Sequence, residues 1–197
     1  EWLEYVALFL NAEEAASAHI AMVASRIDVA EQAVQDTLLL EGTRRKSVLW
    51  VYEYDGKLYS GTCPSYYCEL VQQAGGEIID LSHLGDAAAW GAITNFTAFY
   101  EAAAAADIWL YPSQNWDTQA SMGAVDLAQL PVVQNSRVYD ITKNNRCVGG
   151  DCTTANDWFE SRLAEPDVLL EDLINIITPD AHPVLDLTSF LQCPRSV

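Results

Sequence analysis

Basic residues are scarce in this 197-residue chain: 10 lysines and arginines stand against 28 aspartates and glutamates, a formal net charge of −18 at pH 7. Nucleic acids and anionic membrane surfaces are held by clustered Lys and Arg, so both are excluded as partners. A cationic partner fits the balance better, and a well-solvated surface accounts for it most simply. Long apolar runs are missing too: no window reaches the roughly 18 residues that span a bilayer, and no basic-then-apolar leader opens the chain. The first residues, Glu1-Trp2-Leu3-Glu4-Tyr5-Val6, read as the interior of an amphipathic helix without a cap. The expectation is a soluble, already processed chain in which something preceded Glu1. Catalytic signatures are also absent. No G-x-S-x-G elbow, P-loop or H-E-x-x-H occurs, and His19, His83 and His182 are far apart with no shared motif, so the chain is read as a non-enzyme with no cofactor and no metal.

What is present is core-forming material. Half of the residues are hydrophobic, enough at this length for a buried core rather than disorder. Five cysteines include two close pairs, Cys63 with Cys68 and Cys147 with Cys152, the second in a Gly-rich loop. Two short disulfide loops suit an oxidising, extracytoplasmic compartment. Buried thiols are the alternative, and Pro64, expected to start a helix between Cys63 and Cys68, weighs against the first pair. C-x-x-C spacing is lacking, which disfavours zinc. Cys193 is left over and is available to a missing segment or a partner. Asn95-Phe96-Thr97 is a glycosylation sequon, with Asn95 as acceptor.

Apolar residues at Ile20, Val23, Ile27, Ala30, Val34 and Leu38 alternate in steps of three and four, which predicts one long amphipathic helix over residues 12–40. It would run roughly 40 Å at about 1.5 Å per residue; a coiled-coil arm is the other use of such a helix. After the breaker Gly42-Thr43-Arg44-Arg45-Lys46, residues 47–54 read as a strand ended by Asp55-Gly56. Pro64 opens a helix that stops at Gly75-Gly76, and residues 77–81 form a second strand. A helix over residues 97–106 leads into Asp107-Ile108-Trp109-Leu110-Tyr111, continuous and apolar as a strand covered on both faces should be. Residues 122–127 read as a helical piece before Pro131. Strands alternating with helices predict an α/β fold: the long helix, then one Rossmann-like three-layer lobe with a mainly parallel sheet.

The stretch Asn156-Asp157-Trp158-Phe159-Glu160-Ser161-Arg162, followed by Pro166-Asp167, the run to Asp172-Leu173-Ile174, and Thr178-Pro179-Asp180, resembles the carboxy-terminal end of substrate-binding proteins that feed iron-siderophore, haem, cobalamin or metal importers. Ala74-Gly75-Gly76-Glu77 is similar to that family's alanine-glycine-glycine step, and residues 132–140 look like its hairpin, with Ser136 where Gly is usual. The resemblance implies that residues 1–43 are the end of a first lobe and an interlobe spine helix, 44–182 the ligand-binding lobe and 183–197 a tail. It further implies capture of an iron chelate or similar small ligand, a missing amino-terminal lobe or partner chain, and delivery to a membrane importer. A structural or interaction subunit of an extracellular assembly built on the same fold is the alternative.

Ligands of open α/β sheets bind outside the carboxyl ends of the strands. Three loop sets are expected there. Tyr59, Ser60, Ser65, Tyr66 and Tyr67 offer hydroxyls, free N–H groups and flat surface, or alternatively an N-cap with packing tyrosines. Ser113, Asn115, Trp116 and Asp117 set polar groups around a tryptophan. Asp157, Trp158, Glu160 and Arg162 complete the site, with Arg162 expected to stack on Trp158 four residues away or to pair with a nearby acid. The binding reading expects the sets to converge with Tyr66 or Tyr67, Trp116, Trp158 and Arg162 exposed on one surface; tryptophans on opposite sides of the lobe would count against transport.

Overall fold

In the computed structural model the described residues are 2–42, 44–86, 91–113, 116, 121–122, 125–144, 146–148, 151–155, 158–181 and 187–193. Trp2–Leu10 forms α1 and Glu13–Glu41 forms α2, with Asn11 between them at a φ of 51°. Gly42, at a φ of 59°, ends α2 in the left-handed conformation that glycine adopts without a Cβ clash.

Lys46–Tyr54 is β1 and Lys57–Ser60 is β2, an antiparallel hairpin closed by Asp55-Gly56. The expected strand is therefore correct, but Tyr59 and Ser60 lie in a second strand rather than a loop, because Asp-Gly is a hairpin turn pair as well as a terminator. Tyr66–Gln73 is α3, capped by Ser65, whose side chain accepts from the Cys68 N–H. Pro64 thus precedes this helix instead of opening it. Gly76–Ile78 is β3, Gly85–Asp86 β4 and Ala92–Ile93 β5. Phe96–Ala103 is α4, capped by the Asn95 Oδ1 accepting from Ala98 N–H at 3.1 Å. Ile108–Tyr111 is β6, all four residues buried as its unbroken apolar run requires.

Ser121–Met122 (β7) and Val125–Asp126 (β8) pair antiparallel, so the helical reading of residues 122–127 is replaced by a small hairpin and a following 3-10 turn. Glycine at 123 makes a helix there unfavourable. Pro131–Gln134 is α5 and Val138–Asp140 is β9; residues 132–140 are a helix, turn and strand rather than a hairpin. Ser136 takes a φ of 54°, the conformation that makes glycine the usual choice at such a turn. Arg146–Val148 (β10) and Asp151–Ala155 (β11) form a separate hairpin, Trp158–Ala164 is α6, Pro166–Ile177 α7 and Leu191–Gln192 β12.

The main sheet runs β12-β9-β6-β1, with β3 on the first half of the other side of β1 and β2, β5 and β4 continuing from its second half. β3, β1, β6 and β9 are mutually parallel, and β12 closes the edge antiparallel to β9. Alternation along the strands splits the core in two. Val48, Trp50, Ile108 and Leu110 face α2, α3, α6 and α7. Leu49, Val51, Trp109 and Tyr111 face α4, α5 and the 3-10 turn. The expected three-layer α/β lobe with a mainly parallel sheet is the architecture found.

Ion pairs fix the long helix and one sheet edge. Arg26 on α2 reaches Asp167 at 2.7 Å and Glu171 at 2.8 Å on α7. At the amino edge the Arg44 guanidinium grips Asp107 with two 2.8 Å bonds while the Ser47 N–H donates to the same carboxylate at 2.7 Å. Cys193 is a buried member of the second core. Asp172, 2 % exposed, accepts from the Thr188 and Ser189 N–H groups and so ties α7 to the segment before β12. Burial pushes its carboxyl above the ordinary value, against the pull of those N–H groups.

The fold therefore binds that proton more tightly than the unfolded chain does. The group's contribution is complete below its unfolded value of about 4 and declines as pH rises through its folded value. Asp172→Ala should lower stability by about 1–3 kcal/mol, since the backbone N–H groups of residues 188–190 lose their acceptor, and should flatten this limb of the stability–pH curve. Urea unfolding of both proteins across pH 4 to 8 checks both effects.

Candidate functional site

The carboxyl ends of the parallel strands lie opposite the Arg44–Asp107 seal, and α3 begins there. The Gly61 N–H donates to the Trp50 carbonyl at 2.8 Å, so the chain leaves β2 beside the last residue of β1 that pairs with β6 and reaches α3 through its cap Ser65. A disulfide joins Cys63 to Cys68 across this entry. Its first helical residues, Tyr66 and Tyr67, therefore project at the edge where ligands of such sheets bind.

Tyr67 stacks on Trp50 with ring centroids 4.6 Å apart, and Tyr66 meets Tyr67 edge to face at 5.5 Å. From α6, Arg162 lies over the Tyr67 ring at 5.9 Å, and the Tyr66 hydroxyl donates to the Arg162 carbonyl at 2.7 Å. Next to them Tyr59 stacks on Tyr52 at 5.7 Å. Two of the three expected sets thus meet, joined by contacts that span α3 and α6.

Burial raises the phenol pKa of Tyr52, with Tyr59 and Tyr67 adding to the effect. It also raises that of Tyr66, assisted by Tyr67 and opposed by Arg162. Both phenols stay protonated at neutral pH and act as hydrogen-bond donors, not as phenolates. The corner therefore combines flat aromatic surface with one guanidinium, which suits an oxygen-rich acceptor, while the Tyr66 O–H is taken up by the Arg162 carbonyl. Among the described residues no group of three or more His, Cys, Asp or Glu could hold a metal ion.

The two tryptophans are corrections. Trp158 is 2 % exposed and packs edge to face on Phe190 at 5.0 Å in the first core; Trp116 is 7 % exposed and packs on Trp109 at 5.0 Å and Tyr111 at 5.3 Å in the second. They lie on opposite faces of the sheet, so they present no shared stacking wall. Large apolar area drives both inward. Arg162 lies over Tyr67 as an aromatic partner, and its guanidinium donates to the Trp158 carbonyl at 3.4 Å.

Ser60 donates to the Gly61 carbonyl at 3.0 Å, and Ser65 is occupied as the α3 cap. Half-buried Ser113 follows β6, its N–H bonded to the Tyr111 carbonyl at 2.7 Å. Asn115, Asp117 and Asp157 lie outside the described residues, as do the side chains of Glu160, Cys147 and Cys152. Trp50 and Tyr52 were missed by the sequence reading; their alternate positions near the end of a strand that precedes the site could have signalled them.

A second feature was not anticipated as a cavity. An open groove of about 1200 Å³ runs between α1, the first half of α2 and the α6–α7 junction, lined by apolar residues including Leu3, Val6, Ile20, Val23 and Leu163. On α1, Val6 is 49 %, Phe9 73 % and Leu10 71 % exposed. The apolar face of α1 is thus not buried against the lobe; the side chain of Trp2 lies outside the described residues.

No family model matches the sequence, and no curated protein matches it. Solved structures do match in fold. A periplasmic heme-binding protein from Pseudomonas aeruginosa superposes with a TM-score of 0.65 at 14 % identity, over 99 % of this chain and 64 % of its own. An ABC transporter solute-binding protein from Sulfurospirillum deleyianum gives 0.64 at 15 % identity, over 92 % and 51 %. An ABC transporter substrate-binding protein from Listeria monocytogenes gives 0.55 at 18 % identity, over 89 % and 62 %. The fold is that of these solute-binding proteins, and the chain spans between about half and two thirds of their length.

The core and corner assignments predict different mutant costs. Trp158→Ala should destabilise by about 3–5 kcal/mol as a buried aromatic truncation. Tyr66→Phe, which removes one part-exposed hydrogen bond, should cost no more than about 1 kcal/mol. Denaturant unfolding of the two variants checks the assignment.

Proposed function

We propose that the chain is the carboxy-terminal lobe and spine helix of an extracytoplasmic solute-binding protein, and that it captures a small oxygen-rich ligand, an iron chelate or a similar molecule, for delivery to a membrane importer. The supporting observation is the corner formed by Tyr66, Tyr67 and Arg162 at the carboxyl edge of the sheet. Its guanidinium is a local cation in a strongly acidic chain, so carboxylate or carbonyl oxygens fit it better than a bare metal ion. The fold shared with solute-binding proteins supports the same reading. With Trp116 and Trp158 turned inward, the proposal rests on Tyr59, Ser60, Ser65, Tyr66, Tyr67 and Arg162. The division at residues 43 and 182 belongs to it, with α1 and the groove as the surface that meets a first lobe, and no chemistry is assigned to the chain beyond binding.

One observation favours a second reading. α1 is apolar nearly all round, as a buried helix is, so a subunit of an extracellular assembly built on this fold would use that face and leave the tyrosine corner empty.

Trp50 reports on the corner through its stack with Tyr67. Titration with ferric chelates, haem and cobalamin should give a saturable change in tryptophan fluorescence for at least one probe, and Arg162→Ala should weaken that binding about tenfold or more. Unchanged fluorescence across the panel, or binding indifferent to Arg162→Ala, would remove the solute-binding reading and leave the assembly reading.

A further inference from the structure

We infer that the Cys63–Cys68 disulfide is a redox latch on the tyrosine corner, a role that rests on the binding site proposed above for its consequence but not for its mechanics. The two sulfur atoms are placed unequally. Cys63 is exposed in the connection between β2 and α3, whereas Cys68 is 3 % exposed in the first core and its sulfur accepts from the Gln72 side chain at 3.7 Å. One end of the bond is therefore anchored to the sheet, and the other holds a surface connection.

Tyr66 and Tyr67 sit between the two cysteines. With the bond closed, residues 63–68 form a small covalent ring whose far side is fixed by the buried Cys68, which restricts the backbone carrying both tyrosines. With it open, the first turn of α3 is held by the Ser65 cap and the Tyr67 stack on Trp50. Residues 61–66 lose their covalent tie. The segment whose order then falls most is the one that donates the Tyr66 hydroxyl to Arg162.

The exchange is open to a low-molecular-weight thiol. Its thiolate attacks the exposed Cys63 sulfur, forming a mixed disulfide as the Cys63–Cys68 bond breaks, and Cys68 leaves as a thiolate that takes up a proton. A second thiol attacks the external sulfur of the mixed disulfide, releasing Cys63 and yielding the disulfide of the small thiol. Two thiols are oxidised and one cystine is reduced.

The test is backbone hydrogen exchange on the whole chain, oxidised, treated with dithiothreitol, and as Cys63→Ser, which opens this bond alone without touching a residue of the corner. Haem binding is measured on the oxidised and Cys63→Ser proteins. The latch predicts amide exchange at Cys68 and Glu69, whose N–H groups bond to Ser65, faster by about tenfold or more in the reduced and Cys63→Ser proteins, β6 unchanged, and haem affinity lower by a similar factor. Equal exchange in all three proteins overturns the latch. Faster exchange with unchanged haem affinity overturns its control of the corner. If no form binds haem, that result counts against haem as the solute, and exchange alone decides the latch.

Discussion

β1 and β6 are covered on both faces, and that constraint orders everything else in the lobe. A strand buried on two sides must divide its side chains between two cores, one residue at a time. Trp50 falls on the side of α3 and α7 and can be shared with Tyr67; Trp109 falls on the opposite side and gathers Trp116, Tyr111 and Phe99. A one-residue slip of β1 would exchange these sets and unmake the corner along with the core. The position of the candidate site is thus a consequence of core register.

The two edges of the parallel strands have opposite characters. At the amino edge Arg44 neutralises Asp107, whose carboxyl is held below its ordinary value: burial opposes the shift, and the Arg44 and Ser47 hydrogen bonds outweigh it. At the carboxyl edge Tyr66, Tyr67 and Arg162 are joined by ring contacts and by the Tyr66 hydroxyl donating to the Arg162 carbonyl. Arg26, bridging Asp167 and Glu171, fixes the long helix to α7 from outside the core. α1 and the first half of α2 extend beyond this anchored part with their apolar face open.

The architecture was largely legible because its signals are local. The unbroken apolar run at 108–111, the stripe from Ile20 to Leu38 and the double glycine after α3 each identify an element from a few neighbouring residues. Hairpins were harder. Asp55-Gly56 marks a turn without saying whether the chain returns alongside, and the short apolar pieces at 121–126 and 132–134 carry too few residues to separate a strand from a helix. The candidate site was half legible. Ser65, Tyr66, Tyr67 and Arg162 were singled out because hydroxyls and aromatics at a helix start have a recognised use. Trp116 and Trp158 were misassigned because an aromatic beside polar residues reads the same whether it faces solvent or core. The contact of Arg162 with Tyr67 joins residues distant in sequence, and no local pattern encodes it.

The central claim is that the tyrosine corner at the carboxyl edge, and not the apolar groove on the long helix, is where this lobe meets a small ligand. Side-chain resonances of tyrosine followed by NMR during titration with a probe that binds, such as haem or a ferric chelate, test this most directly. The account predicts saturable shifts at Tyr66 and Tyr67, with smaller ones at Tyr52 and Tyr59 and none at Tyr5 on α1. Shifts confined to Tyr5, with Tyr66 and Tyr67 unmoved at saturation, would contradict it.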